Sequence, residues 1–512
     1  MRKLARNAIL LLLVGGIAIA CGEKFLTLEP LSGLTEESFF SNEKDAQAAL
    51  AAAYDALQKY GAYENEFLAK IEWLTVGDMR MEESPADREL EALVFNPNNS
   101  RFFQIWQRHY QGVARANTVI QRVPEIENID PEVQEQIVAQ AKFLRALFYF
   151  GLTKYFGDVP LVTREFTAAD DFNVTRTPQA EVFAQIEQDL TDAANVLPDV
   201  WDQENSGRAT STAALALLAK VHLHQGEWQD AVSRSEALIN KGVHALERDP
   251  GNTNSAYRNV FSKFNEQNEE IVFATQYRDT DAGGWGQDRD GHFLAARSAP
   301  RGIGPENAPF GGWSNWVPEA YFVETAFEPG DERRIGQIIG PGETHDESGF
   351  TMPDTVPPGY SSTGYICTKY WWGAEPNNSV YSSQNIPVLR YAEVLLNYAE
   401  ALNEVGRTAE AVAAINEIRS RAGLEDFNSA DPAEVLDQIF KERRVEMFWE
   451  MSFFTDLNRR GMFVDWIQTY RDDVIDGSLV LAPYITQPDY ILLPIPTGEL
   501  DRNPNLTQNP HY

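Results

Sequence analysis

The sequence predicts a mainly α-helical protein that is interrupted by one long, loop-rich insertion with few short strands. Apolar residues recur at helical spacing across residues 35–241 and again across residues 386–470. The same helix–glycine–helix spacing occurs in both of these regions. Residues 277–373 hold 16 of the 34 glycines and 9 of the 27 prolines, and these residue types interrupt regular structure.

Composition and charge limit the classes of protein to consider. Hydrophobic residues make up 43% of the chain and aromatic residues 11%, which supplies a packed core and excludes global disorder. The formal net charge is −33 at pH 7. Because such a surface repels phosphate backbones and anionic lipid headgroups, the sequence predicts no nucleic-acid partner.

A basic start and a short apolar stretch mark residues 1–20 as a signal peptide. The apolar stretch, residues 8–20, is shorter than the roughly 20 residues that a spanning helix needs. Small residues directly before Cys21 are typical of a bacterial lipoprotein signal, so we expect cleavage before Cys21 and its acylation; the alternative is an ordinary secretory signal that ends near a cysteine. Cys367 is the only other cysteine, so an acylated Cys21 leaves no disulfide and Cys367 is expected to be an inert thiol.

Two helices are predicted from local sequence, one from its composition and one from its residue spacing and its stop signals. Residues 43–60 are rich in alanine and are typical of an amphipathic helix. Residues 136–156 place apolar side chains at helical spacing, and Gly157 and Pro160 are expected to end that helix.

A pair of matching helical hairpins is predicted from small residues at fixed spacing. In each copy one helix ends at a glycine, and a second helix packs back through a small alanine, as in a tetratricopeptide-type hairpin. The copies lie 180 residues apart, so they are dispersed within a larger fold and are not a tandem array. The residues are Ala219, Gly226 and Ala231 in the first copy, and Ala399, Gly406 and Ala411 in the second.

The insertion at residues 277–373 is the predicted functional region. It holds five of the eleven tryptophans, and disordered segments rarely retain so many aromatic residues. The mature chain is therefore divided into a helical part at 21–276, the insertion at 277–373 and a helical part at 374–512.

Several motifs in a fixed order resemble the SusD/RagB family over nearly the whole mature chain. Each is moderate evidence alone, and together they form a specific match. His511 stands where glycine is more usual in the closing motif. The segments are 25–30, 35–40, 141–160, 389–401, 442–457 and 494–510.

The resemblance implies a function in nutrient capture. Family members bind glycans, or in some cases peptides, at the cell surface, and sit on a SusC-like TonB-dependent transporter. The chain is therefore expected to be anchored through a lipid in the outer leaflet of the outer membrane, to bind an oligo- or polysaccharide and to need no cofactor. A peptide ligand is the alternative within the family. A periplasmic helical-repeat scaffold for other proteins would explain the hairpins but not the glycine- and tryptophan-rich insertion.

The sequence shows no enzyme motif. Metal-protease, serine-hydrolase and phosphate-loop signatures are absent, so we expect neither catalytic residues nor a metal site. His222 and His224 lie two residues apart in a helix and point to different faces, which argues against shared metal ligation. Aspartates at 279–290 hint at a calcium loop but lack its required spacing.

The candidate ligand site is an aromatic shelf in the insertion, together with the loop at 78–99. Sugars present apolar faces ringed by hydroxyls, so exposed aromatic rings flanked by polar groups suit them. The alternative for each tryptophan is packing in the core, which is the expected place of Trp106, Trp228 and Trp449. The candidates are Trp285, Phe310, Trp313, Trp316, Tyr365, Trp371 and Trp372 in the insertion, and Arg80, Phe95 and Asn98 in the loop.

Scaffold charges are predicted inside the family motifs. Arg390 and Glu393 lie one helical turn apart and are expected to form an ion pair. Arg145 and Glu446 are expected to have similar structural roles.

Overall fold

Helices dominate the architecture, as predicted. The computed structural model describes residues 40–64, 67–81, 84–167, 170–278, 291–304, 306–308, 311–357, 359–374, 381–482, 485 and 491–512. In chain order the helices are α1 Glu43–Asp55, α2 Phe67–Leu74, α3 Pro85–Glu91, α4 Ser100–Arg122, α5 Pro131–Phe156, α6 Gln179–Val196, α7 Ser211–Gln225, α8 Trp228–Ile239, α9 Ala256–Val260, α10 Leu294–Ser298, α11 Ala320–Thr325, α12 Glu332–Gln337, α13 Tyr391–Glu404, α14 Thr408–Arg421, α15 Pro432–Glu446, α16 Phe454–Arg459, α17 Phe463–Tyr470, α18 Asp472–Ile475 and α19 Thr497–Arg502.

Short strands pair across long stretches of sequence. The strands are β1 Met79–Met81, β2 Ile271–Thr275, β3 Trp316–Pro318, β4 Ile338–Ile339, β5 Ile366–Cys367 and β6 Ile386–Arg390. They form antiparallel pairs β1–β3, β2–β6 and β4–β5. The prediction of helix from residue 386 was wrong for its first five residues, because these residues extend to pair with β2.

The longest helix shows how local sequence sets an element's ends. The side chain of Asp130 caps α5 by accepting a hydrogen bond from the backbone N–H of Glu132 at 2.9 Å. Gly157 ends the helix with a φ of 71°, a conformation that glycine adopts without strain. The predicted helix and its stop are confirmed, with the start five residues earlier than expected.

Close packing between α4 and α5 buries a histidine. His109 is fully buried; its Nδ1 lies 2.8 Å from the backbone oxygen of Ile105, and its ring stands edge-on to Phe148 at 5.9 Å. A Cβ at Gly151 would come within 2.2 Å of His109 Nε2, so the helices approach closely at this point. Burial lowers the pKa of His109 to about 4.

His109 is expected to make stability depend on pH. Between its ordinary pKa of 6.5 and about 4 the unfolded chain binds a proton that folded His109 does not, so the free energy of unfolding falls as the pH falls. Across this window the loss from His109 alone is about 3 kcal/mol. Urea denaturation of the His109→Gln variant should show a flatter pH profile than wild type. The exposed His511→Gln control should leave the profile unchanged, and equal profiles for all three proteins would contradict the prediction.

The two predicted hairpins are confirmed, and they pack against each other. Helices α7 and α8 join at Gly226, and α13 and α14 join at Gly406, with φ values of 75° and 81°. The hydroxyl of Tyr398 in α13 donates a hydrogen bond to Glu236 in α8 at 3.1 Å. The hairpins share one small hydrophobic core, which contains Leu223, Ala231, Val232, Ala399, Leu402, Ala411 and Ile415.

A buried ion network links the carboxy-terminal helices to β2 and β6. The guanidinium of Arg390 donates to Glu450 Oε2 at 2.8 Å and to Glu446 Oε1 at 3.1 Å, and it also pairs with Glu270. Arg421 donates to the other oxygen of Glu270 at 3.0 Å. We call these five residues the buried ion network; all five side chains are at most 4% exposed.

One predicted ion pair was wrong. Arg390 is the last residue of β6, so its side chain enters the buried ion network, whereas Glu393 in α13 pairs with Lys220 at 2.5 Å. The scaffold roles predicted for Arg145 and Glu446 are confirmed. Arg145 holds Asp189 through two hydrogen bonds, at 2.7 and 2.8 Å.

Other sequence predictions concern the core and the chain's beginning. Trp106 and Trp449 are buried as expected, and Trp228 is half-buried against the hairpin core. Burial raises the pKa of the Cys367 thiol to about 12.

Among the described residues, no helix has both the length and the apolar character to cross a membrane. The signal peptide at 1–20, Cys21 and the aspartates at 279–290 lie outside the described residues. The three-part division of the mature chain stays a prediction.

Candidate functional site

Four aromatic side chains form a cluster at the protein surface. The ring of Phe293 lies 4.8 Å from Tyr381, 5.7 Å from Trp313 and 5.7 Å from Tyr60, with the Tyr60 ring nearly parallel to it. Phe293 and Tyr381 are buried, whereas Trp313 and Tyr60 are partly exposed. We call these four residues the aromatic cluster. The Tyr60 ring also stacks on Phe67 at 6.0 Å, so Trp313 is the ring that the cluster presents at the surface.

The backbone around Trp313 is held against α10. The N–H of Trp313 donates to the oxygen of Ala296 at 2.8 Å. Gly312 has a φ of 73°, and a Cβ there would come within 2.1 Å of the oxygen of Pro300. Only glycine permits this approach without displacing the turn after α10. The position of the Trp313 ring is therefore set by backbone contacts as well as by its aromatic neighbours.

Two arginines lie beside Trp313. The guanidinium carbon of Arg297 is 5.0 Å from the Trp313 ring centre. Exposed Arg301 donates from Nε and Nη2 to the backbone oxygen of Trp313, at 3.1 and 2.9 Å. Arg297 thus lies against the Trp313 ring, and Arg301 lies against the Trp313 backbone.

Strand pairing brings the predicted loop close to the predicted shelf. Arg80 of β1 lies opposite Val317 of β3, four residues after Trp313. Exposed Arg80 pairs through Nε with Glu319 Oε1 at 2.7 Å. Burial raises the pKa of the neighbouring Glu91 to about 7. The two candidate regions thus belong to one side of the molecule, although no sequence pattern indicated that they pair.

Three predicted ligand contacts do not fit the structure, because their side chains are buried. Trp316 is fully buried between Lys70 and Trp449, whose ring centre is 5.4 Å away. Trp371 is also fully buried, with its ring stacked on His345 at 4.2 Å. Phe95 is 3% exposed in the main core. These rings are not available to a ligand.

The remaining predicted residues are spread over the surface. Tyr365 is half-buried and donates its hydroxyl to Glu324 at 3.2 Å. Trp372 is half-buried, with Lys263 Nζ 4.0 Å from its ring centre. Asn98 is exposed beside Asn96. Nothing in the described residues joins these three to the aromatic cluster. Trp285 and Phe310 lie outside the described residues.

Sequence reasoning missed three members of the aromatic cluster and both arginines. Tyr60 follows α1, Phe293 precedes α10 and Tyr381 precedes β6, so they come from three separate regions of the chain. The sequence around each of them carries no pattern that indicates a ligand site. Trp313 is the one member of the aromatic cluster among the candidates predicted from the sequence.

Two groups of side chains in the described residues have metal-ligand chemistry. Glu187, His222 and Glu227 bring ligand atoms within 4.8 Å of one another, as do three consecutive residues that begin at His345. In the first group Glu227 accepts a 2.6 Å hydrogen bond from His222 Nδ1. In the second, the guanidinium of Arg258 pairs with Glu347 and lies 3.8 Å from Asp346. Neither group adjoins the aromatic cluster.

Comparisons with protein families match most of the chain. A family model described as "SusD family" matches residues 269–512, and another, described as "Starch-binding associating with outer membrane", matches residues 24–223. The SusD-like protein P2 of Formosa agariphila is 29% identical, with all of both chains covered. The starch-binding protein SusD of Bacteroides thetaiotaomicron is 22% identical, with 83% of this chain and 81% of that protein covered.

Solved structures show the same fold. A laminarin-binding SusD-like protein is 28% identical, with a TM-score of 0.74, and the match covers 92% of this chain and 100% of that one. A SusD-like protein of Bacteroides fragilis is 23% identical, also with a TM-score of 0.74, over 94% of this chain and 100% of that one. The predicted fold, mainly helical with few short strands, is confirmed by these likenesses.

Proposed function

This chain belongs to the SusD/RagB family, whose members are binding proteins and not enzymes, and on that premise we propose that it captures an oligo- or polysaccharide at the cell surface. The observation that carries the proposal is the aromatic cluster. Its partly exposed Trp313 ring is a flat apolar surface, and exposed Arg301, whose Nε and Nη2 are held by the backbone oxygen of Trp313, has further N–H donors on Nη1. This combination matches the alternating apolar and hydroxyl surfaces of sugar rings.

The proposal includes delivery and anchoring. The captured glycan passes to a SusC-like TonB-dependent transporter on which the protein sits. Acylated Cys21, exposed after removal of residues 1–20, anchors the chain in the outer leaflet of the outer membrane. The match of residues 24–223 to a family model described as associating with the outer membrane supports this location. The names of the starch-binding and laminarin-binding relatives support a glycan as the cargo.

Replacing Trp313 by alanine is expected to weaken glycan binding by about 1–2 kcal/mol, which is roughly five- to thirtyfold in Kd. The loss follows from removal of the exposed ring on which a sugar would stack. Isothermal titration of laminarin and starch into the protein starting at residue 22 measures the effect. A Trp313→Phe variant retains a ring and is expected to keep most of the affinity.

A matched control separates the site from general damage. Trp228 is also half-buried, but it packs on the hairpin core away from the aromatic cluster. Trp228→Ala is expected to leave glycan affinity unchanged. Equal affinity of wild type and Trp313→Ala would overturn the assignment of the aromatic cluster. Binding of oligopeptides in place of both glycans would keep nutrient capture and replace the ligand class.

A further inference from the structure

A separate cavity of about 470 Å³ lies between α1 and the end of β2. Its volume is in the range of small-ligand pockets, roughly 300–1,000 Å³. It is bordered by the side of α1, by the turn at 206–208 and by residues 274–278. Tyr277 lines this cavity, and its ring lies 5.0 Å from His292, which directly precedes Phe293. The cavity, which we call the α1 cavity, is thus a neighbour of the aromatic cluster but has its own walls.

Tyr54 supplies a fixed aromatic wall to the α1 cavity. Its hydroxyl donates to Gln140 Oε1 at 3.0 Å and accepts from the N–H of Ala209 at 2.9 Å. Burial of that hydroxyl raises the pKa of Tyr54. The side chain is half-buried and lines the cavity, so its ring supplies an apolar part of the wall. A ring that is held at its polar end and open on its apolar surface suits stacking against a sugar.

Amide groups around the ring have unused hydrogen-bonding capacity. Arg208 Nη1 donates to Gln47 Oε1 at 2.9 Å, which leaves the Gln47 NH₂ directed to other acceptors. Gln58 donates from Nε2 to the backbone oxygen of Gln276 at 2.7 Å. Among the described residues neither Gln47 Nε2 nor Gln58 Oε1 has a partner. The cavity wall thus combines a donor, an acceptor and a guanidinium around one apolar face.

The chemistry of this wall indicates the class of ligand. A purely apolar ligand would leave the amides of Gln47 and Gln58 unpaired, and such desolvated polar groups cost binding energy. The carboxylate of Asp55, which also lines the cavity, is already paired with Lys59 at 3.0 Å and with Arg115 at 2.6 Å, so it does not set the charge preference of the wall. A neutral, hydroxyl-rich ring satisfies both the amides and the Tyr54 surface.

We propose that the α1 cavity is a second carbohydrate site, which binds one end or a short segment of a glycan independently of the aromatic cluster. The proposal rests on the glycan-binding function proposed above. A polymer that reaches both sites from one molecule would gain avidity, because the second contact is intramolecular. Short oligosaccharides would instead occupy the two sites separately.

The test fills the cavity without removing any wall. Ala51 is exposed on α1 and lines the cavity, whereas the adjacent Ala52 is also exposed and does not line it. Ala51→Trp is the blocking variant and Ala52→Trp its matched control. Isothermal titration with maltotriose and laminaritriose is performed on both, and on each in the Trp313→Ala background. The thermal unfolding midpoint of every variant verifies folding.

The expected result is two bound trisaccharides per wild-type chain and one per Ala51→Trp chain. Ala52→Trp should retain two, and Ala51→Trp combined with Trp313→Ala should retain none. Unchanged stoichiometry in Ala51→Trp would overturn the proposal, as would complete loss of trisaccharide binding in Trp313→Ala alone. If wild type binds laminarin or starch but no second trisaccharide, the proposed function stands and the second site is wrong. If wild type binds no glycan at all, both the proposed function and the second site are wrong. If it binds trialanine and Ala51→Trp blocks that binding, the cavity is a peptide site and the proposal is overturned.

Discussion

Replacing Arg390 by methionine is expected to lower the free energy of unfolding by about 3–5 kcal/mol. Arg390 is fully buried and donates to three carboxylates, those of Glu270, Glu446 and Glu450. Without its guanidinium, part of the negative charge of these buried carboxylates is no longer compensated. Breaking a buried ion pair from one side costs more than the pair contributes, because it leaves uncompensated charge away from water.

The measurement is urea denaturation followed by circular dichroism, with Arg407→Met as the matched control. Arg407 also contacts two carboxylates, Glu236 and Glu410, but it is 35% exposed. Exposed pairs contribute about 0–1 kcal/mol, so the control should stay close to wild type. A similar loss of unfolding free energy in both variants would show that burial does not set the cost of removing Arg390.

Replacing Glu72 by alanine is expected to cost a similar amount, about 3–5 kcal/mol. Fully buried Glu72 accepts from the hydroxyl of Tyr155 at 2.5 Å and from Lys154 Nζ at 3.3 Å. Its second oxygen accepts from the backbone N–H groups of Phe453 and Thr455, both at 3.0 Å. Alanine would leave the ammonium and the two amide donors buried without their shared acceptor.

This variant should have a local as well as a global effect. Amide hydrogen exchange is expected to speed up first at the start of α16, where Glu72 holds the backbone. Glu132→Ala removes an exposed carboxylate from the first turn of α5 and should change stability by about 0.5 kcal/mol or less. Unchanged exchange at Phe453 and Thr455 in Glu72→Ala would show that other contacts hold this turn.

Sequence patterns predicted the helices well, because helix formation depends on neighbours a few residues apart. The stop at Gly157 and the hairpins at Gly226 and Gly406 follow from local backbone preferences. The pairing of Arg390 with Glu393 failed for the same reason: helical spacing was assumed where the chain is still extended. Whether residue 390 ends a strand depends on its partner strand at 271–275, more than a hundred residues away.

The candidate site was predicted only in part. Trp313 and Trp316 were both predicted to contact a ligand, and the local sequence did not separate them. Ser314, which lies between them, has a φ of 50°, in the left-handed region that non-glycine residues rarely adopt. The Trp313 ring is partly exposed, whereas the Trp316 ring is buried in the core. Such a difference depends on tertiary contacts, and no spacing rule supplies it.

The β1–β3 and β2–β6 pairings also have a consequence for the kinetics of folding. Each joins segments more than a hundred residues apart, and the two hairpins meet across a similar distance. Contacts between such distant segments slow folding, because these parts of the chain must meet before their contacts become favourable. During synthesis, β1 and β2 leave the ribosome long before β3 and β6. β1 and β2 thus remain without their partners until well over half of the polypeptide has been made.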